Sequence, residues 1–489
     1  MKKYNRSNGI LLHPTSLPGM WGMGDLGKSA YNFIDFLKQT DQKLWQILPL
    51  TIPDSFGSPY ASNSAFAGNT MLINPQELLK EKLVSREDIK KLENKIKNKI
   101  KRKEQLLNIA YDNFLNKNIF KKEFELFIEE ESFWINYTAN FLLLKKIFKN
   151  KNWIDFPEDF KNNENISTQW KNENKYELDR IKFEQFLFFH QWEKIKKYAH
   201  ANNIEIIGDI PIFVSYDSAD VWANRFIFKL DTTGKPKVVA GVPPDYFSKT
   251  GQLWGNPHYN WEILKENNYS WWINRVKHAL KTVDYFRIDH FRGFEAAWEV
   301  PIEEKTAIKG EWVKGPGADF FNFLKSRLGD LPIIAEDLGV ITDEVRELRD
   351  NFNFPGMKIL QFAFDSENNG FLPQNYDTEN CVVYTGTHDN NTTLGWYNNE
   401  ATENEKNNVN KFTDFDGENI SWALIRLAMR SKANWAIIQM QDILALDESS
   451  RMNFPGTVEN NWQWRMKNLE ISEKIKNDLK ILTAETNRN

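Results

Sequence analysis

Val283-Asp284-Tyr285-Phe286-Arg287-Ile288-Asp289 is a short apolar run that ends in two charges. The pattern recurs seven more times. Before it come Gly9-Ile10-Leu11-Leu12-His13, Leu44-Trp45-Gln46-Ile47-Leu48-Pro49 and Ile204-Glu205-Ile206-Ile207-Gly208-Asp209. After it come Pro332-Ile333-Ile334-Ala335-Glu336, Met357-Lys358-Ile359-Leu360-Gln361-Phe362-Ala363-Phe364, Val382-Val383-Tyr384-Thr385-Gly386-Thr387-His388-Asp389 and Trp435-Ala436-Ile437-Ile438-Gln439-Met440-Gln441-Asp442. Near-continuous apolar runs of this length read as strands of a parallel sheet buried on both faces. The second and sixth runs in chain order end least cleanly. Helical spacing fills 29–39, 271–280, 319–328 and 343–350. Eight strands alternating with helices predict an α/β fold, a (β/α)8 TIM barrel.

A barrel needs about 250 residues and the chain has 489, so much of it is insertion. The largest insertion, residues 51–203 between the second and third strands, is rich in Lys, Glu and Asn with helical spacing of Leu, Ile and Phe. It reads as a helical subdomain beside the barrel, its charge runs forming a solvated helix face. A second insertion, 210–261, separates the third and fourth strands. Its mixture of Gly, Pro and aromatic residues predicts an irregular active-site loop. The expected organisation is one catalytic barrel domain over 1–489.

The net charge is −4 and the pI about 6.1, which gives no electrostatic case for nucleic acid or an anionic membrane. Cys381 is the only cysteine, so an intrachain disulfide is impossible and a reducing compartment is expected. The apolar stretch Ile10-Leu11-Leu12 is too short for a signal peptide, and no run has the length of a membrane span. A cytoplasmic protein is expected. Most of the 18 Trp read as packing, while a few exposed ones could offer flat platforms to sugar rings.

In a barrel, residues at the C-terminal ends of strands face the active-site mouth. Here these are His13, Asp209, Arg287, Asp289, His290, Glu336, Asp337, His388, Asp389 and Asp442. Singly, each has a plain alternative: a strand-end Asp often caps a helix or pairs with a cation, and a His is often a satisfied core residue. Together they place carboxylates from several strands at one end of a barrel, where burying charge is costly without a use. Glycosidic bond cleavage uses such a set. One carboxylate attacks, a second with a raised pKa protonates the leaving oxygen, and a third stabilises the developing positive charge. Arg287, two residues before Asp289, suits an ionised nucleophile. Period-two spacing leaves open whether Glu336 or Asp337 faces inward.

Phe286-Arg287-Ile288-Asp289-His290-Phe291-Arg292-Gly293, Ile334-Ala335-Glu336-Asp337-Leu338-Gly339 and Gly386-Thr387-His388-Asp389-Asn390 resemble segments of the amylomaltases, the 4-α-glucanotransferases of glycoside hydrolase family seventy-seven. The resemblance extends to His13-Pro14-Thr15-Ser16-Leu17-Pro18, Ser58-Pro59-Tyr60, Gly208-Asp209-Ile210-Pro211-Ile212 and the 243–261 loop. It includes Arg451-Met452-Asn453-Phe454-Pro455-Gly456-Thr457 and Asn461-Trp462-Gln463-Trp464-Arg465. It implies Asp289 as nucleophile, Glu336 as general acid/base and Asp389 as transition-state stabiliser. It further implies that Arg287, His388 and Asp209 hold the sugar at the cleavage point, with Tyr60 stacking on it. Tyr246, Phe247 and Trp254 would belong to a loop over the acceptor side, and Asn461 would touch the donor side.

The expected reaction moves a segment of an α-1,4-glucan to the 4-hydroxyl of a glucose or glucan acceptor through a covalent glycosyl-enzyme. The partners are then maltooligosaccharides and other α-1,4-glucans, with no metal and no cofactor. Hydrolysis shares every step up to the intermediate, so the three carboxylates cannot separate it from transfer. A metal-dependent barrel enzyme and a non-catalytic glucan-binding protein are more distant alternatives.

Overall fold

The computed structural model describes residues 4–244 and 248–488. Among the described residues there are twelve strands: β1 Ser7–Leu11, β2 Leu44–Gln46, β3 Glu205–Pro211, β4 Val238–Val242, β5 Gln252–Pro257, β6 Tyr285–Asp289, β7 Ala296–Pro301, β8 Glu311–Lys314, β9 Ile333–Ala335, β10 Gly356–Ile359, β11 Cys381–Tyr384 and β12 Trp435–Gln439. Eight of them, one from each apolar run, form a parallel sheet in the order β10-β11-β12-β1-β2-β3-β6-β9. The remaining seam, between β9 and β10, is bridged by Ala335 N–H donating to the Pro355 carbonyl at 2.9 Å. Met357 N–H donates to Asp337 Oδ1 at 2.7 Å across the same seam. The sheet thus curls into the expected barrel.

Each strand is apolar on both faces because each face has a different apolar neighbour. Leu11, Leu44, Ile207, Tyr285, Ile334, Met357, Val382, Tyr384 and Ile437 pack together inside the barrel. Ile10, Trp45, Ile206, Phe286, Ile288, Ile333, Val383 and Ile438 point out into the larger core under the helices. This alternation decides what reaches the mouth. On β6, Tyr285 faces in, so Arg287 and Asp289, two and four residues on, share its face.

Within 51–203 lie the helices Pro75–Lys80, Arg86–Lys95, Lys99–Lys117, Lys121–Glu130, Ile135–Ile147 and Lys175–Ala201. The last of these lies against the barrel wall. Its Trp192 ring is 6.2 Å from Trp45 of β2, and its indole N–H donates to the Thr282 carbonyl just before β6 at 2.8 Å.

The segment 210–261 departs from the expected irregular loop. It contains β4 and β5, which pair antiparallel with a register shift between Val239 and Gly241. Glycine does not break these strands; it lets them approach. A Cβ on Gly241 would meet the Gln252 carbonyl oxygen at 2.4 Å, and Gly251, at φ +68°, turns the chain into β5. The sequence reading also missed β7 and β8, which follow β6 and complete a four-stranded antiparallel sheet in the order β5-β4-β7-β8. Two expected acceptor-loop residues, Tyr246 and Phe247, lie outside the described residues.

Candidate active site

Asp209, Arg287 and Asp289 meet at the ends of adjacent strands, with Asp209 opposite Arg287 in the β3–β6 register. Arg287 Nε donates to Asp209 Oδ2 at 2.9 Å, and Arg287 Nη2 donates to Asp289 Oδ1 at 2.7 Å. The Tyr60 hydroxyl, from the 51–203 segment, also donates to Asp209 Oδ2, at 2.8 Å. The environments of the two carboxylates differ. The Asp209 side chain is fully buried, its Oδ1 without a hydrogen-bond partner, whereas the Asp289 side chain is 34% exposed. Burial pushes Asp209 up to about 7, against the pull of Arg287 and with a further push from Asp289. Asp289 is therefore open to solvent at the strand ends, and the buried Asp209 holds the Arg287 that bonds it.

After Asp289 the chain turns sharply. His290 takes a left-handed backbone conformation at φ 57°, a strained choice for a residue with a side chain. The turn aims its N–H at Glu336 Oε2, at 2.7 Å, while Leu338 N–H donates to Glu336 Oε1 at 2.9 Å. Burial, reinforced by the charge of Asp289, pushes the Glu336 carboxyl up to about 7, and Arg287 and the two N–H donors only partly offset this. Asp337 points the other way. It pairs with Arg349 and accepts the Met357 N–H at the barrel seam. The geometry thus resolves what spacing left open: Glu336 shares the inward face of Ile334, and Asp337 is a structural ion pair.

His388 and Asp389 follow β11. The His388 ring stacks on Tyr60 with centroids 5.0 Å apart and planes 11° from parallel, so one face of Tyr60 is covered by His388. Trp462 leans against both rings, at 5.8 Å from Tyr60 and 5.9 Å from His388. His388 Nε2 lies 3.4 Å from Asp389 Oδ2, and burial lowers the pKa of His388. Asn453 Nδ2 donates to Asp389 Oδ1 at 2.6 Å.

Trp254 of β5 meets His290 edge-on, with centroids 4.8 Å apart, and is 39% exposed at the mouth. His290 itself is held near a pKa of about 3 by burial first and by Arg292 second, so its ring is uncharged. Asn461 is buried with both ends of its amide bonded within its own loop. Its Oδ1 accepts the Phe454 N–H at 2.9 Å and its Nδ2 donates to the Thr457 carbonyl at 2.9 Å. Asp442 also serves its surroundings, accepting from the Thr385 hydroxyl at 2.5 Å and the Thr393 N–H at 2.7 Å. Burial raises Asp442 to about 6 and lowers His13 to about 3. Among the described residues no group of three or more His, Cys, Asp or Glu side chains is arranged to hold a metal ion.

Two residues at the mouth had no assigned part in the sequence reading: Asn453, which holds Asp389, and Trp462, which closes the Tyr60–His388 stack. Both lie in segments that carry the family resemblance, and that was the available signal.

A family model described as 4-alpha-glucanotransferase matches residues 12–471. The 4-alpha-glucanotransferase of Aquifex aeolicus is 47% identical over 478 residues, covering 94% of this chain and 96% of its own. That of Thermus thermophilus is 45% identical over 497 residues, covering 99% of each chain. The structure is similar to an amylomaltase from Streptococcus agalactiae solved in complex with acarbose, with a TM-score of 0.94 and 40% identity over 99% of this chain and all of that one. The amylomaltase of Corynebacterium glutamicum shares the fold at a TM-score of 0.79 and 17% identity, over 99% of this chain and 75% of that one. The chain belongs to the 4-alpha-glucanotransferase family, glycoside hydrolase family seventy-seven.

Proposed function

We propose that this chain breaks an α-1,4-glucosidic bond with Asp289 and Glu336 and passes the glycosyl unit to the 4-hydroxyl of a second glucan. One observation carries the residue assignment: two neighbouring carboxyl groups sit in opposed environments. Asp289 is partly exposed and bonded to Arg287, while Glu336 is pushed up to about 7 by burial and by Asp289. A pair of this kind divides the labour of retaining glycoside chemistry.

Asp289 attacks the anomeric carbon as Glu336 gives its proton to the leaving oxygen. The reducing-end fragment departs and the glycosyl unit is esterified to Asp289. Glu336, now a carboxylate, takes the proton of the acceptor 4-hydroxyl, which attacks the same carbon and releases Asp289. Asp389 faces the positive charge that develops on the sugar in both steps. Arg287 and His388 hold the sugar, Asp209 acts through the Arg287 and Tyr60 that it bonds, and Trp254 belongs to the acceptor side. Maltooligosaccharides and other α-1,4-glucans are the partners, without metal or cofactor. We read the chain as one catalytic barrel domain carrying the 51–203 and 210–261 insertions, and as a cytoplasmic enzyme. No described helix is long and apolar enough to cross a membrane.

The assignment is tested by trapping. Glu336→Gln incubated with a 5-fluoro-α-glycosyl fluoride should accumulate a covalent adduct, because fluoride leaves without a proton while return of the sugar to an acceptor needs a base. Peptide mass spectrometry should place the adduct on the fragment containing Asp289. An adduct on any other carboxylate contradicts the assignment.

A further inference from the structure

We infer that Arg451 is a positioning residue for Asp389, fixing the direction of that carboxylate through Asn453 and through the backbone of Asp389. The inference rests on the reading of Asp389 as the group that faces the charged transition state.

The Asp389 side chain is 44% exposed, so packing does little to choose its rotamer. What holds it is polar: Asn453 Nδ2 at 2.6 Å from Oδ1 and His388 Nε2 at 3.4 Å from Oδ2. Asn453 is itself held, its N–H donating to the His388 carbonyl at 3.1 Å. Arg451 then ties the two loops together. Its Nε donates to the Asn453 carbonyl at 2.8 Å, and its Nη2 donates to the Asp389 carbonyl at 2.9 Å. Its Nη1 donates to Glu400 Oε1 at 2.9 Å. Glu400 closes the circuit by accepting from Asn391 Nδ2, two residues beyond Asp389, at 2.8 Å. Phe454 lies against the guanidinium, 4.3 Å from ring centroid to Cζ.

Each contact uses a property that arginine alone supplies. The guanidinium is a rigid fork of five donors and can serve three acceptors in one plane while its face packs on an aromatic ring. The acceptors belong to the loop after β12, the loop after β11 and the helix Thr393–Asn399 that ends at Glu400. The fork therefore sets the loop that carries Asp389 relative to the loop that carries Asn453. A carboxylate that stabilises developing charge works best when its direction is set before the reaction begins. Arg451 touches no reacting atom in this arrangement; it acts through Asp389.

A double-mutant cycle with maltotriose and with α-maltosyl fluoride separates this role from general support of the fold. Arg451→Met should lower kcat about a hundredfold with KM changed less than about threefold. Arg451→Lys, which can reach one or two of the three acceptors, should recover part of the loss. In an Asp389→Ala background the same Arg451→Met change should cost less than about threefold more, because the carboxylate it orients is gone. Glu400→Gln provides a milder perturbation if Arg451→Met folds poorly, and should lower kcat several-fold with a small change in Tm. An equal loss from Arg451→Met in both backgrounds overturns the inference, since the residue then acts on the fold as a whole. So does an unimpaired Arg451→Met beside a disabled Asp389→Ala. If Asp389→Ala itself turns over at the wild-type rate, the reading of Asp389 fails first and the inference falls with it.

Discussion

At Glu336, burial and the adjacent Asp289 both disfavour the negative charge, and the carboxyl is pushed up to about 7. A raised acid is protonated below its pKa and loses the proton above it. In the proposed mechanism the first chemical step consumes that proton, so kcat/KM for maltotriose should fall as pH rises through about 7. Asp209 is also raised to about 7 by burial, so the limb needs an owner. Asp209→Asn should lower activity but keep the descending limb. Loss of the limb in that variant assigns it to Asp209 and contradicts the role given to Glu336. Asp289→Asn should cost on the order of 10⁴ in kcat while glucan binding is largely kept, as expected for removal of a nucleophile. Turnover close to wild type in that variant contradicts its assignment.

The elements explain why some of this was legible in the sequence and some was not. The eight barrel strands could be read because each is apolar on both faces, the inner face against Tyr285, Ile334 and their neighbours and the outer against the helices. The same double burial hid the direction of Glu336 and Asp337, since neither face of the strand was marked as polar. Only the meeting of Asp337 with Arg349 and Met357 at the barrel seam separates them. Asp337→Ala should therefore destabilise the fold by ~1–3 kcal/mol, because Met357 N–H and one end of Arg349 lose their buried acceptor while Arg349 keeps Asp350. Denaturant unfolding checks this, and a loss confined to turnover with stability unchanged contradicts it. β4 and β5 of the antiparallel sheet were illegible because their glycines, which read as breakers, are what allow the two strands to approach closely. The sheet's edge strand β5 presents Trp254 to the mouth. Trp254→Ala should raise the KM for acceptor about tenfold, equivalent to ~1.4 kcal/mol, with a smaller effect on donor cleavage. Equal effects on donor and acceptor remove Trp254 from the acceptor side.

In the whole molecule, the site is assembled from parts far apart in the chain. Tyr60 and Asp209 are 149 residues apart, and Asn453 reaches back 64 residues to Asp389. Spacing along the sequence cannot reveal such pairings. The motifs that resemble the family could, because each was legible separately and the barrel brings their strand ends to one mouth. The order of the barrel strands places the carboxylates, and the insertions bring Tyr60 and Trp254 to that mouth. The chemistry up to the covalent intermediate is common to transfer and hydrolysis; in the proposed mechanism what differs is which hydroxyl Glu336 next deprotonates. The central claim is that a sugar hydroxyl, not water, accepts the glycosyl unit. It is tested most directly by incubating the enzyme with maltotriose alone, following oligosaccharide lengths and total reducing ends together. Transfer predicts glucose and a ladder of longer maltooligosaccharides with the total reducing ends constant. A steady rise in reducing ends, with products no longer than maltotriose, contradicts it.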